Sequence, residues 1–530
     1  MGIRLTRRAQ AGIVGAASII TILTLVSRVF GLLRKLAQSW AVSDGAVATA
    51  YDTANTVPNV LFEIAAGGAL AGAVIPLVSG FLVKKQKDEA GATVSALLTW
   101  IIAISVPLAI VVSVCASGIT ALLLGASADP AVSELSGSLL TMFAWQVPLY
   151  GISVVCAGVL QAHDRFVLPA LAPLLSSIVV IGVFLAYAEL YPPHADPSEL
   201  SRFAIYLLGW GTTAGVMVFS LPQFIPVMRL VPIKPTFHFP PGVARHTMHL
   251  AGAGLGALLA QQIAIVVIMY ATNELGGVGT YNVFNYSFAV FMVPYAVLAV
   301  PIATVTFPQI SKAVSAGDTD RAARVTARST RLVLFMGILA AALLAVEAKP
   351  AQVVLEVGRN IAHLDYAMTA MAIGLIGYSL LYHGARVLYA LDAGRYVIAV
   401  NSLGWGVVVI TLLIGLAVAS PGRFGALTWV GMALSVGMSV GGVAVLCAIR
   451  AKLGAGSLHG IVRTAVVGVA SCAVLTWVGR YVVNLFFAPH GSASVATALL
   501  AAVLGALICV GGAACVALLF DRSLVSGIRS

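Results

Sequence analysis

The stretch AGIVGAASIITILTLVSRVFGLLRK (residues 11–35) runs for seventeen residues without a charge before it reaches Arg28. About 20 apolar residues, rising ~1.5 Å each, span the hydrocarbon core of a bilayer, so this run is long enough to be a membrane helix. With its basic start, MGIRLTRRAQ, it resembles a signal peptide. No small-residue cleavage site interrupts its passage into SRVFGLLRK, and it reads as a retained first helix. Met1-Gly2 with Thr6 also fits the myristoylation pattern, a weak six-residue signal.

The same composition extends over the whole chain. Of 530 residues 60% are apolar and 9% charged, against roughly 45–50% and about 25% in soluble domains. A soluble fold is excluded, and the 52 glycines suit membrane helices. Apolar runs between polar or Pro/Gly-rich breaks give fourteen helices near 11–34, 47–82, 92–124, 134–162, 166–189, 203–228, 247–272, 279–311, 326–346, 364–391, 396–419, 425–449, 460–487 and 494–520. The second and eighth are long and are expected to bend at Pro58 and Pro294.

The net charge of +11 sorts onto one side of this map. Alternate connections, beginning with Arg4, Arg7 and Arg8, hold twenty-one Lys and Arg residues; the opposite connections hold only Arg202, Lys349, Arg359 and Arg423. The positive-inside rule then makes both termini cytoplasmic. The basic excess is a topology signal, and no nucleic-acid partner is expected. The six cysteines lie in apolar runs without CxxC or a nearby His at ligand spacing, so neither a disulfide framework nor a zinc site is implied.

Two segments recur. AGAVIPLVSGFLVKKQKD (71–88) is echoed by AVPIATVTFPQISKAVSAGD (299–318), with Pro76 matching Pro308 at an offset of 232. GVLQAHDRFVLPA (158–170) is echoed by RVLYALDAGRYVIA (386–399), with Arg165 matching Arg395 at an offset of 230. Each half then has six helices, an even number, so the halves share one orientation, which is a transporter architecture with substrate near the midplane and alternating access by rocking. The expected fold is all-α integral membrane, about fourteen helices in two parallel six-helix lobes plus a C-terminal pair. The divisions are 1–235 (helices one to six), 236–455 (seven to twelve) and 456–530 (thirteen, fourteen and a cytoplasmic C-terminus).

Five basic residues, Arg28, Arg34, Lys35, Arg386 and Arg480, fall within or at the ends of spans. A charge near the bilayer centre costs at least ~2.5 kcal/mol and is usually turned toward protein or a watery cavity. Arg28 and Arg34 are six residues apart, about 120° on a straight helix; a bend near Gly31 turns both inward. An arginine offers five donors in a planar fork suited to phosphate oxygens. The plainer alternative is that Arg34 and Lys35 snorkel to the interface. Asp52 and Glu63, eleven residues apart, come within about 20° of one face and are expected to balance the first-helix arginines, either functionally or as a structural ion pair. Arg386, near His383, is a further cavity candidate, and Arg480 reads as a snorkelling residue. Catalytic and metal motifs (GxSxG, Walker A, HExxH, paired acidic ligands) are absent, so a transporter without cofactor is expected rather than an enzyme. His246 and His249 read as interfacial.

Residues 24–82 resemble the opening two helices of the MurJ/MviN family, the lipid II flippases of bacterial cell-wall synthesis. The shared features are Ser27-Arg28, Gly31, Arg34, Pro58-Asn59 and the GGAL run leading to Pro76, with DRFVLPALAP (164–173) and the VP…FP run from Val293 to Pro308 also similar. The resemblance implies the two-lobed fold of the multidrug/oligosaccharidyl-lipid/polysaccharide exporter superfamily, the last helix pair forming a groove for a lipid tail. It departs at Thr49, Phe62 and Ala289, where Gram-negative members carry an acidic residue and two arginines. Actinobacterial members look similar in this respect and often continue into a cytoplasmic kinase-like region. The implied activity is export of an undecaprenyl-diphosphate-linked peptidoglycan precursor to the outer leaflet, with Arg28, Arg34, Asp52, Glu63 and Arg386 as substrate-binding candidates and membrane lipid and the cell-wall machinery as partners. The alternatives are a polysaccharide-repeat flippase, a cation-coupled drug exporter, against which Arg28 and Arg34 argue, or a non-transporting scaffold.

Overall fold

A computed structural model describes residues 7–65, 71–126, 128–240, 243–356, 361–418, 422–487 and 494–520. The GGAL run, the myristoylation residues Met1, Gly2 and Thr6, and Arg4, Arg359, Arg522 and Arg529 lie outside them, as do the side chains of Arg7, Arg8, Arg245, His246 and His249. The described residues are helical with no strand among them. They fall into two compact units, Met1–Leu258 and Leu259–Ser530.

The first unit contains α1 (Arg7–Val42), α2 (Ala46–Glu63), α3 (Ala71–Val83), α4 (Lys87–Val114), α5 (Ala116–Leu124), α6 (Pro130–Phe143), α7 (Gln146–Ala162), α8 (Val167–Ala188) and α9 (Arg202–Leu230); the division falls within α10 (Val243–Gly276). The second unit continues with α11 (Thr280–Pro294), α12 (Val300–Ser315), α13 (Thr319–Val346), α14 (Ala348–Glu356), α15 (Leu364–Met371), α16 (Gly374–Ala390), α17 (Gly394–Val418), α18 (Arg423–Leu453), α19 (Ile461–Leu485) and α20 (Val495–Phe520). Among the described residues eleven helices are long and apolar enough to cross a membrane, or twelve if α15 and α16, bent by 50° at a short break, count as one span. The chain is a multi-pass membrane protein. The expected fourteen is not reached by this measure. Of the first two stretches, one lies in α1, whose opening side chains are not described, and the other includes 66–70, which lie outside the described residues.

The prolines act differently from one another. α2 passes through Pro58 and ends at Glu63, whereas α11 gives way directly after Pro294 to a π-helical turn, Tyr295–Ala299. Pro removes an N–H from the ladder, and widening to a π turn is one way a helix absorbs that loss. A few starts are capped by short polar side chains. Asp129 accepts from the Ala131 N–H at 2.8 Å ahead of Pro130, and Asp318 accepts from the Arg321 N–H at 2.8 Å. Between α8 and α9, Asp196 accepts from the Ser198 N–H and hydroxyl at 2.8 and 2.5 Å. These bonds hold its carboxyl below the usual carboxylate range.

The internal echo is visible in the backbone. After α3, Gln86 N–H donates to the Phe81 carbonyl and Lys85 N–H to Leu82; after α12, Asp318 donates to Ala313 and Gly317 to Val314. This is the Schellman ending at an offset of 232, with Lys85 and Gly317 both left-handed (φ 58° and 71°). The second pair of turns carries the same ending. Arg165 donates to Leu160 and Asp164 to Gln161, and 228 residues on Ala393 donates to Leu388 and Asp392 to Tyr389. The backbone therefore matches Asp164 with Asp392, two residues away from the Arg165 to Arg395 pairing that side-chain similarity suggests.

Candidate functional site

In the first unit α1 runs unbroken past Arg28, Gly31 and Arg34 to Val42. It is tied to the unit at two levels. Ser27 Oγ donates to the Ala170 carbonyl of α8 at 2.9 Å, and Lys35 Nζ lies 3.9 Å from Asp52 Oδ1 of α2. Gln38, three residues and almost one turn beyond Lys35, bridges the same pair: Lys35 Nζ donates to Gln38 Oε1 at 3.0 Å and Gln38 Nε2 to Asp52 Oδ1 at 2.8 Å. Asp52 is buried, with a side chain only 4% exposed. Its charge is compensated by an ammonium and an amide together, as burial of a carboxylate requires.

Arg28 and Arg34 differ from Lys35. Arg28 is exposed on α1 and Arg34 half-buried, and neither forms a hydrogen bond or ion pair among the described residues. Arg34 is near enough to act electrostatically on the hydroxyls of Tyr51 and Tyr150, and Glu63 also acts on Tyr150. Arg34 is thus the charged group that both tyrosines share, with Asp52 on the side of Tyr51 and Glu63 on the side of Tyr150. Glu63 is exposed at the end of α2, in contrast to the buried Asp52.

Tyr150 belongs to an aromatic wall that the sequence did not reveal, whereas Tyr51 packs edge-on against Phe143 and Phe184 at 5.4 and 5.2 Å. Phe62 stacks on Tyr150 with ring centroids 4.3 Å apart, and both meet Phe219 of α9 edge-on at 6.2 and 6.1 Å. The Tyr150 hydroxyl donates to Asn59 Oδ1 at 3.3 Å, and Tyr51 shares a 2.9 Å hydrogen bond with Thr212. Phe62, a departure from the family pattern, fills an aromatic place. Thr49 is buried and bonds back to the Gly45 carbonyl at 3.1 Å, and Ala289 is half-buried on α11.

In the second unit Arg386 is half-buried on α16 and turned onto its own helix. Its guanidinium donates to the Tyr382 hydroxyl and lies 4.5 Å from that ring's centroid. Tyr382 meets Tyr295 of the π turn at 5.5 Å. His383 points elsewhere. It is buried, with Nε2 3.2 Å from Ser329 Oγ and 3.3 Å from Thr330 Oγ1 on α13. Arg386 and His383 therefore face different neighbours. No cluster of His, Cys, Asp or Glu able to hold a metal occurs among the described residues.

Lys35 was legible only as a basic residue at the end of a span and Gln38 not at all, because helical spacing does not say which residues of α1 face Asp52. Tyr150 and Phe219, on helices separated by many residues from α2, left no local signal.

Known proteins are similar to this chain. The model of the family described as "Lipid II flippase MurJ" covers residues 38–520. A probable lipid II flippase MurJ of Synechocystis is 30% identical over 273 residues, 50% of this chain and 49% of that protein. The lipid II flippase MurJ of Burkholderia cenocepacia is 25% identical over 384 residues, 69% of this chain and 71% of that one. The chain thus matches about half the length of the first relative and more of the second. A solved lipid II flippase MurJ in an inward closed conformation shares the fold, with a TM-score of 0.72, 18% identity, and coverage of 93% of this chain and 98% of its own. The chain belongs to the lipid II flippase MurJ family.

Proposed function

We propose that this protein moves lipid II, the undecaprenyl-diphosphate-linked peptidoglycan precursor, from the inner to the outer leaflet by alternating access, without changing it chemically. The observation that carries the reading is the uncommitted state of Arg28 and Arg34. In a helix where Lys35 is taken up by Asp52 and Gln38, two guanidinium forks are left for an anion, and a diphosphate supplies planar pairs of oxygens for them. Asp52 and Glu63 set the charge balance around the arginines when substrate is absent, and Arg386 is a further substrate contact.

The site acts in a bacterial cell membrane with both termini cytoplasmic, as the twenty-one to four bias of basic residues supports. Accessibility tags at Lys85, Ala316 and Ser530 should report the cytoplasm, and tags at Asp129, Pro193 and Gly276 the outside. Enzymes that assemble and polymerise the precursor are the natural suppliers and consumers of such an activity.

Purified protein in vesicles loaded with lipid II provides the test, read by a leaflet-resolved assay of the headgroup. Transfer faster than in protein-free vesicles supports the reading. A chain that binds the precursor without moving it is a scaffold of the wall machinery.

A further inference from the structure

At one end of the second unit a cavity of about 150 Å³ opens where α13, α14, α15 and α19 meet. Its polar lining is Lys349, Asp365, Arg480 and Asn484, over a floor that includes Val346 and Val483. We infer that this cavity binds the phosphate of an anionic lipid headgroup.

The charges favour an anion. Two cations face one carboxylate. Lys349 Nζ is 4.0 Å from Asp365 Oδ2, the limit of an ion pair, and the lysine side chain is 46% exposed. A pair so open to solvent is worth little and yields readily to a competing anion. Arg480 has no hydrogen bond or ion pair among the described residues. Arg480 and Asn484 are four residues apart, so they project from one face of α19 about one turn apart, a fork and an amide reaching one group. Glu347, beside the lining residues in sequence, does not itself line the cavity. A Cβ on Gly505 of α20 would stand 2.8 Å from its Oε1, so its carboxylate is set against α20.

The walls are fixed. Asp365 N–H donates to Gln352 Oε1 at 3.2 Å, and Gln352 Nε2 donates to Glu356 at 2.6 Å, so α14 holds the start of α15. The cavity is several times the ~30 Å³ that a water takes up in the liquid, which is room for a phosphate group.

Depth in the membrane points to a lipid rather than a free ion. Trp477 and Tyr481 of α19 stack with centroids 6.3 Å apart and are 71% and 62% exposed. Exposed Trp and Tyr near the end of a membrane helix mark the headgroup level, and Arg480 lies between them in sequence. This end of α13 is opposite the one that carries Arg321, Arg324 and Arg328. On the orientation proposed above it is the outer surface, and the inference rests on that reading for which leaflet supplies the lipid.

The test uses the purified full chain with phosphatidylglycerol, retained lipid being counted by native mass spectrometry, and dioleoylglycerol, which lacks the phosphate, as the comparison. Arg480→Gln should lower retention on the order of tenfold, and Arg480→Lys should restore part of it. Asp365→Asn should raise retention, because it removes the carboxylate that competes for Lys349; a merely structural pair gives no gain. Equal retention by wild type and Arg480→Gln, with thermal unfolding unchanged, overturns the site. Inorganic phosphate bound in place of the lipid overturns the lipid assignment. Retention is measured without transport, so failure here leaves the flippase reading intact, and a chain that retains lipid but does not flip leaves the cavity intact.

Discussion

Lys35 of α1 and Asp52 of α2 form an ion pair 3.9 Å apart whose two ends are unequally shielded, the lysine 22% exposed and the aspartate 4%. The carboxylate bears the greater desolvation, and Gln38 makes up part of it. Removing one partner of such a pair leaves the other uncompensated, whereas removing both can be almost neutral. Lys35→Met should therefore destabilise more than Lys35→Met with Asp52→Leu, with a coupling of about 1–3 kcal/mol in thermal unfolding of the purified protein. Strictly additive losses would show that the two residues are neighbours without being partners.

Arg28 is exposed and makes no ion pair or hydrogen bond among the described residues, so its removal has little to break. Arg28→Ala is expected to leave the unfolding temperature within about 1–2 °C of wild type, since exposed substitutions of this kind stay near ±0.5 kcal/mol. It should abolish transport of the precursor. Arg28→Lys should restore transport only in part, because a point ammonium does not reproduce a bidentate fork. Full complementation by Arg28→Ala at normal protein level removes the diphosphate role from this residue.

Phe62 is stacked on Tyr150 at 4.3 Å and meets Phe219 at 6.2 Å. An aromatic pair is worth about 0.5–1.5 kcal/mol beyond the area it buries. Phe62→Arg, which installs the residue type of Gram-negative members, exchanges that contact for a charge and should lower stability by about 1–3 kcal/mol relative to wild type. Phe62→Tyr should be nearly silent. An arginine here that costs nothing in thermal unfolding means the aromatic wall contributes no packing.

The legible part of this molecule is the part fixed by local pattern. Apolar runs located the helices, because each span must satisfy its own backbone within lipid. Pro76 and Pro308 located the echo between halves, and the matching turns after α3 and α12 follow from it. What failed to show was contact between helices distant in sequence. The buried Asp52 was visible as a carboxylate in a span, but the choice of Lys35 over Arg28 or Arg34 as its partner depends on how α1 is rotated against α2, which helical spacing alone leaves free. Arg386 and His383 lie three residues apart, about 60° around the helix, and that angle sends one to Tyr382 and the other to α13. The Arg165 to Arg395 match slid by two residues because side-chain similarity followed the arginines, whereas the backbone followed the left-handed aspartates.

On the proposed function, the anchoring of α1 decides how the membrane potential acts on transport. A diphosphate headgroup carries about two negative charges, and its outward movement from a negative interior is favoured by ~2.3 kcal/mol per charge per 100 mV if the full potential is crossed. Were Arg28 and Arg34 to travel with it, the charge crossing the field would shrink toward zero. They are held by the fold: Ser27, next to Arg28, is bonded to Ala170 of α8, and Lys35, next to Arg34, is paired with Asp52 of α2. Crossing the bilayer with the substrate would break both ties and expose the buried carboxylate. The arginines therefore stay with their helix while the headgroup moves past, and most of its charge crosses the field. Collapsing the potential at constant pH gradient should slow outward flipping in vesicles, and reversing its sign should slow it further. Rates that stay flat across potentials of both signs would mean that the headgroup's charge is compensated in transit, with protonation of Asp52 or Glu63 as the next place to look.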